Sequence, residues 1–154
     1  MTTSDLDIRQ ARPDDAPRIG AIARQAYARY VARIGREPAP MLADFPVQIA
    51  AGAIHVAEDA EHGLLGFIVF YPEARHMLLE NVAVAPQAAG RGIGRALIAF
   101  CETAARDRGP DAVHLYTNEK MTENRALYPQ LGYVAVGRRT EDGFNRVYFA
   151  KALG

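Results

Sequence analysis

Residues 78–100, LLENVAVAPQAAGRGIGRALIAF, decide how this chain is read. An apolar strand over residues 78–84 turns at Ala85-Pro86 into a glycine-punctuated loop, and the loop opens into an amphipathic helix. Gly90, Gly92 and Gly94 stand at alternate positions where that helix begins. Glycine lets backbone N–H groups approach a ligand closely, and the first helical turn leaves its N–H groups unpaired. With the positive end of the helix dipole, this makes a seat for a phosphate or pyrophosphate. Close packing of helix on strand would ask for one glycine. Three alternate glycines after Pro86-Gln87 fit a ligand better.

Two phosphate motifs can be tested against the stretch directly. A P-loop requires Gly-Lys-Ser/Thr at the helix start, and the chain has Gly94-Arg95-Ala96. A dinucleotide fingerprint requires Gly-x-Gly-x-x-Gly near the first strand, with an acid ending the next one. Here Gly94 arrives one residue early, several elements precede the loop, and Asp111 lies before the following strand. Both fail.

The segment Gln87-x-x-Gly90-x-Gly92 is instead similar to the acyl-CoA-binding motif of the GNAT acetyltransferase superfamily, Gln/Arg-x-x-Gly-x-Gly/Ala. A second segment agrees with it. Asn124-x-x-Leu127-Tyr128, followed by Leu131-Gly132-Tyr133, resembles that superfamily's later motif. Asn124 and Tyr128 are four apart and therefore share a helix face.

The remaining pattern supports one α/β domain over residues 1–154. Residues 6–9 alternate as a first strand. Pro13-Asp14-Asp15 offers an aspartate N-cap for a helix with an apolar stripe at Ile19, Ile22, Ala23, Ala26, Tyr27, Tyr30 and Val31. Gly35, Pro38 and Pro40 end it, and a shorter helix is predicted over residues 41–51. Strands are predicted over 54–58, 64–71 and 77–84, the first two forming an antiparallel hairpin around residues 59–63. A helix over 92–108 stops at Gly109-Pro110. A strand over 112–117, a helix over 121–131 and strands over 134–139 and 146–150, joined by Glu141-Asp142-Gly143, complete the chain. A right-handed crossover sets the fourth and fifth strands parallel.

Eighteen basic residues balance eighteen acidic ones, so no basic field exists for nucleic acid. Cys101, the single cysteine, cannot form an internal disulfide and reads as a buried thiol. His55, His62, His76 and His114 share no metal-binding spacing, and no metal is expected. The N-terminal MTTSDLDIRQ lacks the pattern of a leader, and no apolar run reaches membrane-spanning length. A cytoplasmic protein is the expectation.

The resemblance implies more than the residues show. It implies the GNAT fold: a mixed, mostly antiparallel sheet of about seven strands, the parallel fourth and fifth splayed, with about four helices. It implies acetyl-CoA as cosubstrate, its pyrophosphate on residues Ala88, Ala89, Gly90, Arg91, Gly92, Ile93, Gly94 and Arg95 after Gln87, with Arg91 and Arg95 adding charge-assisted contacts. Val82, Ala83 and Val84 would pair with the pantetheine arm and polarise the thioester. Asn124 would bond the cofactor, and Tyr128 would protonate the leaving thiolate. Pro129, directly after Tyr128, departs from an ideal helix interior. Glu80 reads equally as a general base or as a solvated or salt-bridged strand residue.

The acceptor side would be formed by Tyr27, Tyr30, Arg33 and Phe45, with Glu80. Arg33 and Arg36 read as candidates for an acidic group on the acceptor, or as solvated surface. The expected activity is N-acetylation of a small-molecule primary amine by direct attack, without an acyl-enzyme. Alternatives are a peptide or protein amine, or a CoA-binding sensor without chemistry. A homodimer is expected from the family habit.

Overall fold

The computed structural model describes residues 6–109 and 111–153. Pro110, read as part of a helix stop, and residues 1–5 of the N-terminal stretch lie outside them. The elements run β1 (Asp7–Gln10), α1 (Ala16–Ile34), α2 (Phe45–Ala50), β2 (Ile54–Asp59), β3 (Gly63–Pro72) and β4 (His76–Val84). They continue with α3 (Ile93–Arg108), β5 (Ala112–Asn118), α4 (Thr122–Gln130), β6 (Val134–Glu141) and β7 (Phe144–Ala152). Among the described residues one seven-stranded sheet forms, in the order β1-β2-β3-β4-β5-β7-β6. Every neighbouring pair is antiparallel except β4–β5, which is parallel as the crossover requires.

The nearly continuous apolar run of β3 is explained by cover on both faces. Phe67 and Val69 enter a core with Ile19, Ile22 and Tyr30 of α1 and with Phe45 and Ile49 of α2. Ile68 and Phe70 enter a second core with Leu97, Ile98 and Cys101 of α3 and with Tyr128 of α4. Helices thus lie on both sides of the central strands, and the stripe predicted for α1 is the face it buries.

Two local expectations are corrected. Asp15 stands at the N-cap of α1, but its side chain does not cap that helix. It accepts from the Arg12 backbone N–H at 2.7 Å and pairs with Arg9 at 2.8 Å, so an ion pair to β1 has replaced the cap. The helix predicted over 41–51 is split into a 3-10 turn, Ala39–Leu42, and the short α2. Asp44 breaks it by accepting from the Val47 N–H at 3.2 Å, and Pro46 then sits in the first turn, where a proline needs no acceptor.

The position of α3 rests on close approach and on one ion pair. A Cβ on Gly66 of β3 would lie 2.9 Å from the Ala83 carbonyl and 3.3 Å from both Ile93 Cγ2 and Leu97 Cδ1. The helix therefore sits on the sheet at a distance only glycine allows. The loop before α3 is held from the β2–β3 hairpin. Asp59, its side chain 1% exposed, pairs with Arg91 at 3.1 Å and accepts from the His62 backbone N–H. That backbone bond first, then Arg91 and the His62 side chain, hold the carboxyl down at about 2.

Gly66→Ala should therefore lower stability by about 1–3 kcal/mol, the usual cost of overpacking, as read by denaturant unfolding. Asp59→Asn should lower the melting temperature at neutral pH. Because the folded carboxyl titrates near 2 and an unfolded aspartate near about 3.9, the wild-type advantage is full above the higher value and is lost as pH falls through the lower. Melting curves of both proteins across that window should converge at the acid end.

Candidate functional site

Parallel pairing between β4 and β5 begins at His76↔Ala112 and ends at Leu79↔Leu115. Both strands continue, β4 to Val84 and β5 to Asn118, so they part where pairing stops. The parting coincides with an irregularity on the other side of β4. Val69 pairs with Asn81 and Phe70 with Leu79, leaving Glu80 as the extra, unpaired residue of a bulge. This is the splay the resemblance implied.

Side chains brace the parted strand. The Tyr27 hydroxyl of α1 lies 2.7 Å from Asn81 Oδ1 and 3.0 Å from the Val82 carbonyl oxygen. Asn81, buried within the sheet, donates from Nδ2 to the Pro40 carbonyl at 3.3 Å. One amide thus links α1, β4 and the connection before α2. The sequence reading did not single out Asn81. The available signal was a polar residue at an inward position of an otherwise apolar strand.

Two cavities meet at the parting. The inner one, about 210 Å³, is walled by Glu80, Asn81 and Val82 of β4, Tyr116–Asn118 of β5, the turn around Pro38–Pro40, and Phe144 and Arg146 of β7. The outer one, about 390 Å³, runs along Val82, Ala83 and Val84 to Pro86, Ala89 and Gly94 at the start of α3. Tyr27, Val82, Asn124 and Tyr128 line both. Asn124 and Tyr128 come from one face of α4, as their spacing required.

Tyr128 is 5% exposed, and burial pushes its phenol well above the ordinary tyrosine range. Its ring packs on Tyr133 and Phe149, while its hydroxyl has no hydrogen-bond partner among the described residues. Pro129 stays within α4 and the helix closes just after it. The Tyr128 carbonyl then accepts from both Leu131 and Tyr133, tightening the end that holds the ring.

Glu80 is half-buried on the inner cavity. Burial raises its carboxyl, and the Gln48 Nε2–H donated to it at 2.8 Å offsets this in part. Its carboxylate forms part of that cavity's wall.

At the glycine loop, Gly90 and Gly92 have φ of 84° and 78°, left-handed values that favour glycine. No side chain caps α3, and its first closing bond runs from Ala96 N–H to the Gly92 carbonyl at 3.0 Å. The N–H groups of Ile93, Gly94 and Arg95 precede that bond and point from the helix end. Ala88 and Ile93 bury their side chains, so only their backbone can serve a ligand. Gln87 and Ala89 are exposed on the loop. Arg95 donates to Gln130 Oε1 of α4 at 2.7 Å, and Arg91 is tied to Asp59.

The other acceptor candidates lie elsewhere. Tyr30 and Phe45 are core, the latter edge-on to Phe67 at 5.5 Å. Arg33 pairs with Glu123 at 2.8 Å, both about two-fifths exposed. Arg36 stacks 3.7 Å over Phe144 and donates to the Asp142 carbonyl, closing the β6–β7 hairpin over the cavity. Cys101 is fully buried, and burial, with Glu102 adding, pushes its thiol to about 12, which leaves no thiolate for nucleophilic work. Among the described residues no cluster could hold a metal, and no helix is long and apolar enough to cross a membrane.

A family model described as an acetyltransferase (GNAT) domain matches residues 50–135. Among curated proteins, the mycothiol acetyltransferase of Beutenbergia cavernae is 34% identical over 89 residues, which are 57% of this chain and 30% of that protein. The chain thus aligns with under a third of that relative's length. Of solved structures, the PaiA N-acetyltransferase of Thermoplasma acidophilum in complex with coenzyme A superposes with TM-score 0.77 at 19% identity, covering 96% of this chain and 98% of that one. A GNAT protein of Rhodopseudomonas palustris reaches 0.76 at 24% identity, over 99% of each chain. The ribosomal-protein-S18-alanine N-acetyltransferase of Escherichia coli reaches 0.73 at 19%, over 97% and 94%. These likenesses establish a shared fold. The family match covers more than half of a chain whose sheet parts between β4 and β5 above a glycine-opened helix, and the chain belongs to the GNAT acetyltransferase family.

Proposed function

We propose that this protein is an N-acetyltransferase that moves the acetyl group of acetyl-CoA to a primary amine of a small molecule, by direct attack in a ternary complex. The observation that carries the reading is the Tyr128 hydroxyl, unpartnered among the described residues, at the wall shared by the two cavities. Acetyl-CoA supplies an activated thioester. The outer cavity leads from the uncapped start of α3 along the free edge of β4, which suits pyrophosphate at one end and pantetheine amides along the other. Residues 87–95, with Arg91 and Arg95, would hold the phosphates, and Val82, Ala83, Val84 and Asn124 the arm. The Val82 carbonyl is already engaged by Tyr27, so its N–H is the group left to polarise the thioester.

The inner cavity takes the acceptor. At about 210 Å³ it lies below the roughly 300–1,000 Å³ typical of ligand pockets, which favours a small amine over a protein. Glu80 faces that space and would accept the amine's proton, directly or through water. Tyr128, kept protonated by burial, would donate to the departing sulfur. Cys101 is too deeply buried and too weakly acidic to take the acetyl group, which agrees with direct attack. A homodimer belongs to the same reading, with the edge strand β6, where Val134 and Val136 are over 60% exposed, as its seam; a monomer mass by light scattering would count against it.

Thiol release from acetyl-CoA across a panel of amines tests the whole. Tight acetyl-CoA binding with no turnover on any amine would leave a CoA-binding sensor instead. Tyr128→Phe should lower kcat by about 10²–10⁴-fold with little change in melting temperature, since its hydroxyl holds nothing in the fold. In the wild type, kcat/KM should fall as pH drops through the raised Glu80 carboxyl, placing the acid limb above the ordinary glutamate range. Glu80→Gln should remove that limb along with most of the rate.

A further inference from the structure

Arg146 of β7 lies on the inner cavity, opposite Asn118 of β5 in the sheet register. Its side chain is 11% exposed, and its guanidinium sits 4.6 Å over the Tyr116 ring. An arginine brings five N–H donors in a fixed fork, and it keeps its charge when buried. Among the described residues none of those donors makes a hydrogen bond. The two nearest carboxylates are Glu141 at 3.6 Å and Asp142 at 3.9 Å, both beyond hydrogen-bond reach. Glu141 accepts from the Tyr148 hydroxyl, and Asp142 is 84% exposed. Neither satisfies the fork. The partly buried guanidinium, stacked on Tyr116 and 5.7 Å over Phe144, opens into a cavity where a ligand can supply the hydrogen bonds its fork lacks.

Glu80 stands on the β4 wall of the same cavity, and the Tyr116 hydroxyl lies within the electrostatic reach of both Glu80 and Arg146. The cavity therefore carries a carboxylate on one wall and a guanidinium on another, in a space of about 210 Å³. Opposed charges at that scale complement a small molecule whose own ends are an ammonium and an anion. A planar, bidentate carboxylate matches the arginine fork.

We infer that the acceptor is a small amino-carboxylate, its amine directed to Glu80 and its carboxylate bound by Arg146. This rests on the transferase reading above and narrows it. Arg146 takes the recognition role that the sequence had offered to Arg33 and Arg36, because neither of those lines the cavity, Arg33 being paired with Glu123 and Arg36 bonded to the Asp142 carbonyl.

The test pairs each of a set of α-, β- and γ-amino acids with its own carboxamide, with acetyl-CoA as donor and thiol release as readout. The ratio of kcat/KM, carboxylate over carboxamide, should be at least about tenfold for the best skeleton, as expected for a charge-assisted pair. It should fall to about one in Arg146→Gln. If the glutamine variant fails to fold, Arg146→Lys, which keeps the charge without the fork, should still lower the ratio several-fold. Turnover of amines with a ratio near one in the wild type, or a ratio unchanged in the variants, would overturn the inference and leave the transferase reading standing. Calorimetry of the same amino acids into CoA-saturated protein separates the other case. Binding lost in Arg146→Gln, without transfer, would keep the anion site and discard the enzyme; no binding and no transfer would discard both.

Discussion

The parting of β4 from β5 after Leu79↔Leu115 is the constraint on which the rest of this molecule depends. A sheet that opens in its middle leaves backbone donors and acceptors without their ladder, and each buried group left unmet costs about 1–3 kcal/mol. The protein limits that cost with side chains. The Tyr27 hydroxyl shares its one proton between Asn81 Oδ1 and the Val82 carbonyl, and Asn81 donates from Nδ2 to the Pro40 carbonyl. The bulge at Glu80 turns the strand at the same point and brings a carboxylate to the cavity wall. The structural irregularity and the proposed base thus share one origin, an extra residue in β4 where its second neighbour departs.

The two cavities at this parting, proposed above for donor and acceptor, are built from different materials. The outer cavity depends on the uncapped start of α3, the free edge of β4 and two left-handed glycines. Those are mostly backbone features, which many sequences can provide. The inner cavity depends on side chains from α1, the 38–43 connection, β4, β5, α4 and β7, brought together from the whole length of the chain. The fold persists at 19% identity against the coenzyme A complex of PaiA.

That division also explains what could be read beforehand. Gly90, Gly92, Asn124 and Tyr128 lie in two contiguous segments with fixed spacing, so the loop and the α4 face were legible. The strands were legible as well, because β3 is apolar on both faces and β4 alternates. The connection after α1 was not. Pro38, Pro40 and Pro46 interrupt helical periodicity, and with Asp44 as N-cap α2 begins four residues later than the apolar pattern implied. Arg146 and Asn81 escaped for another reason. Each sits at an ordinary alternating position of a strand, and only the register against β5 and the place of Tyr27 turn them inward.

Net charge hides the same logic. Eighteen acids and eighteen bases cancel over the chain, yet their placement is uneven. Asp59 satisfies Arg91 beside the glycine loop at 3.1 Å, and Glu123 satisfies Arg33 at the exposed end of α1. Glu80 is bonded only by the neutral Gln48, and Arg146 reaches its nearest carboxylates only at long range. Neither of these two cavity-facing charges has an oppositely charged partner within hydrogen-bond distance among the described residues, and the proposed amino-carboxylate would supply one to each. On the proposed reading the glycine loop selects the donor, and these two side chains select the acceptor.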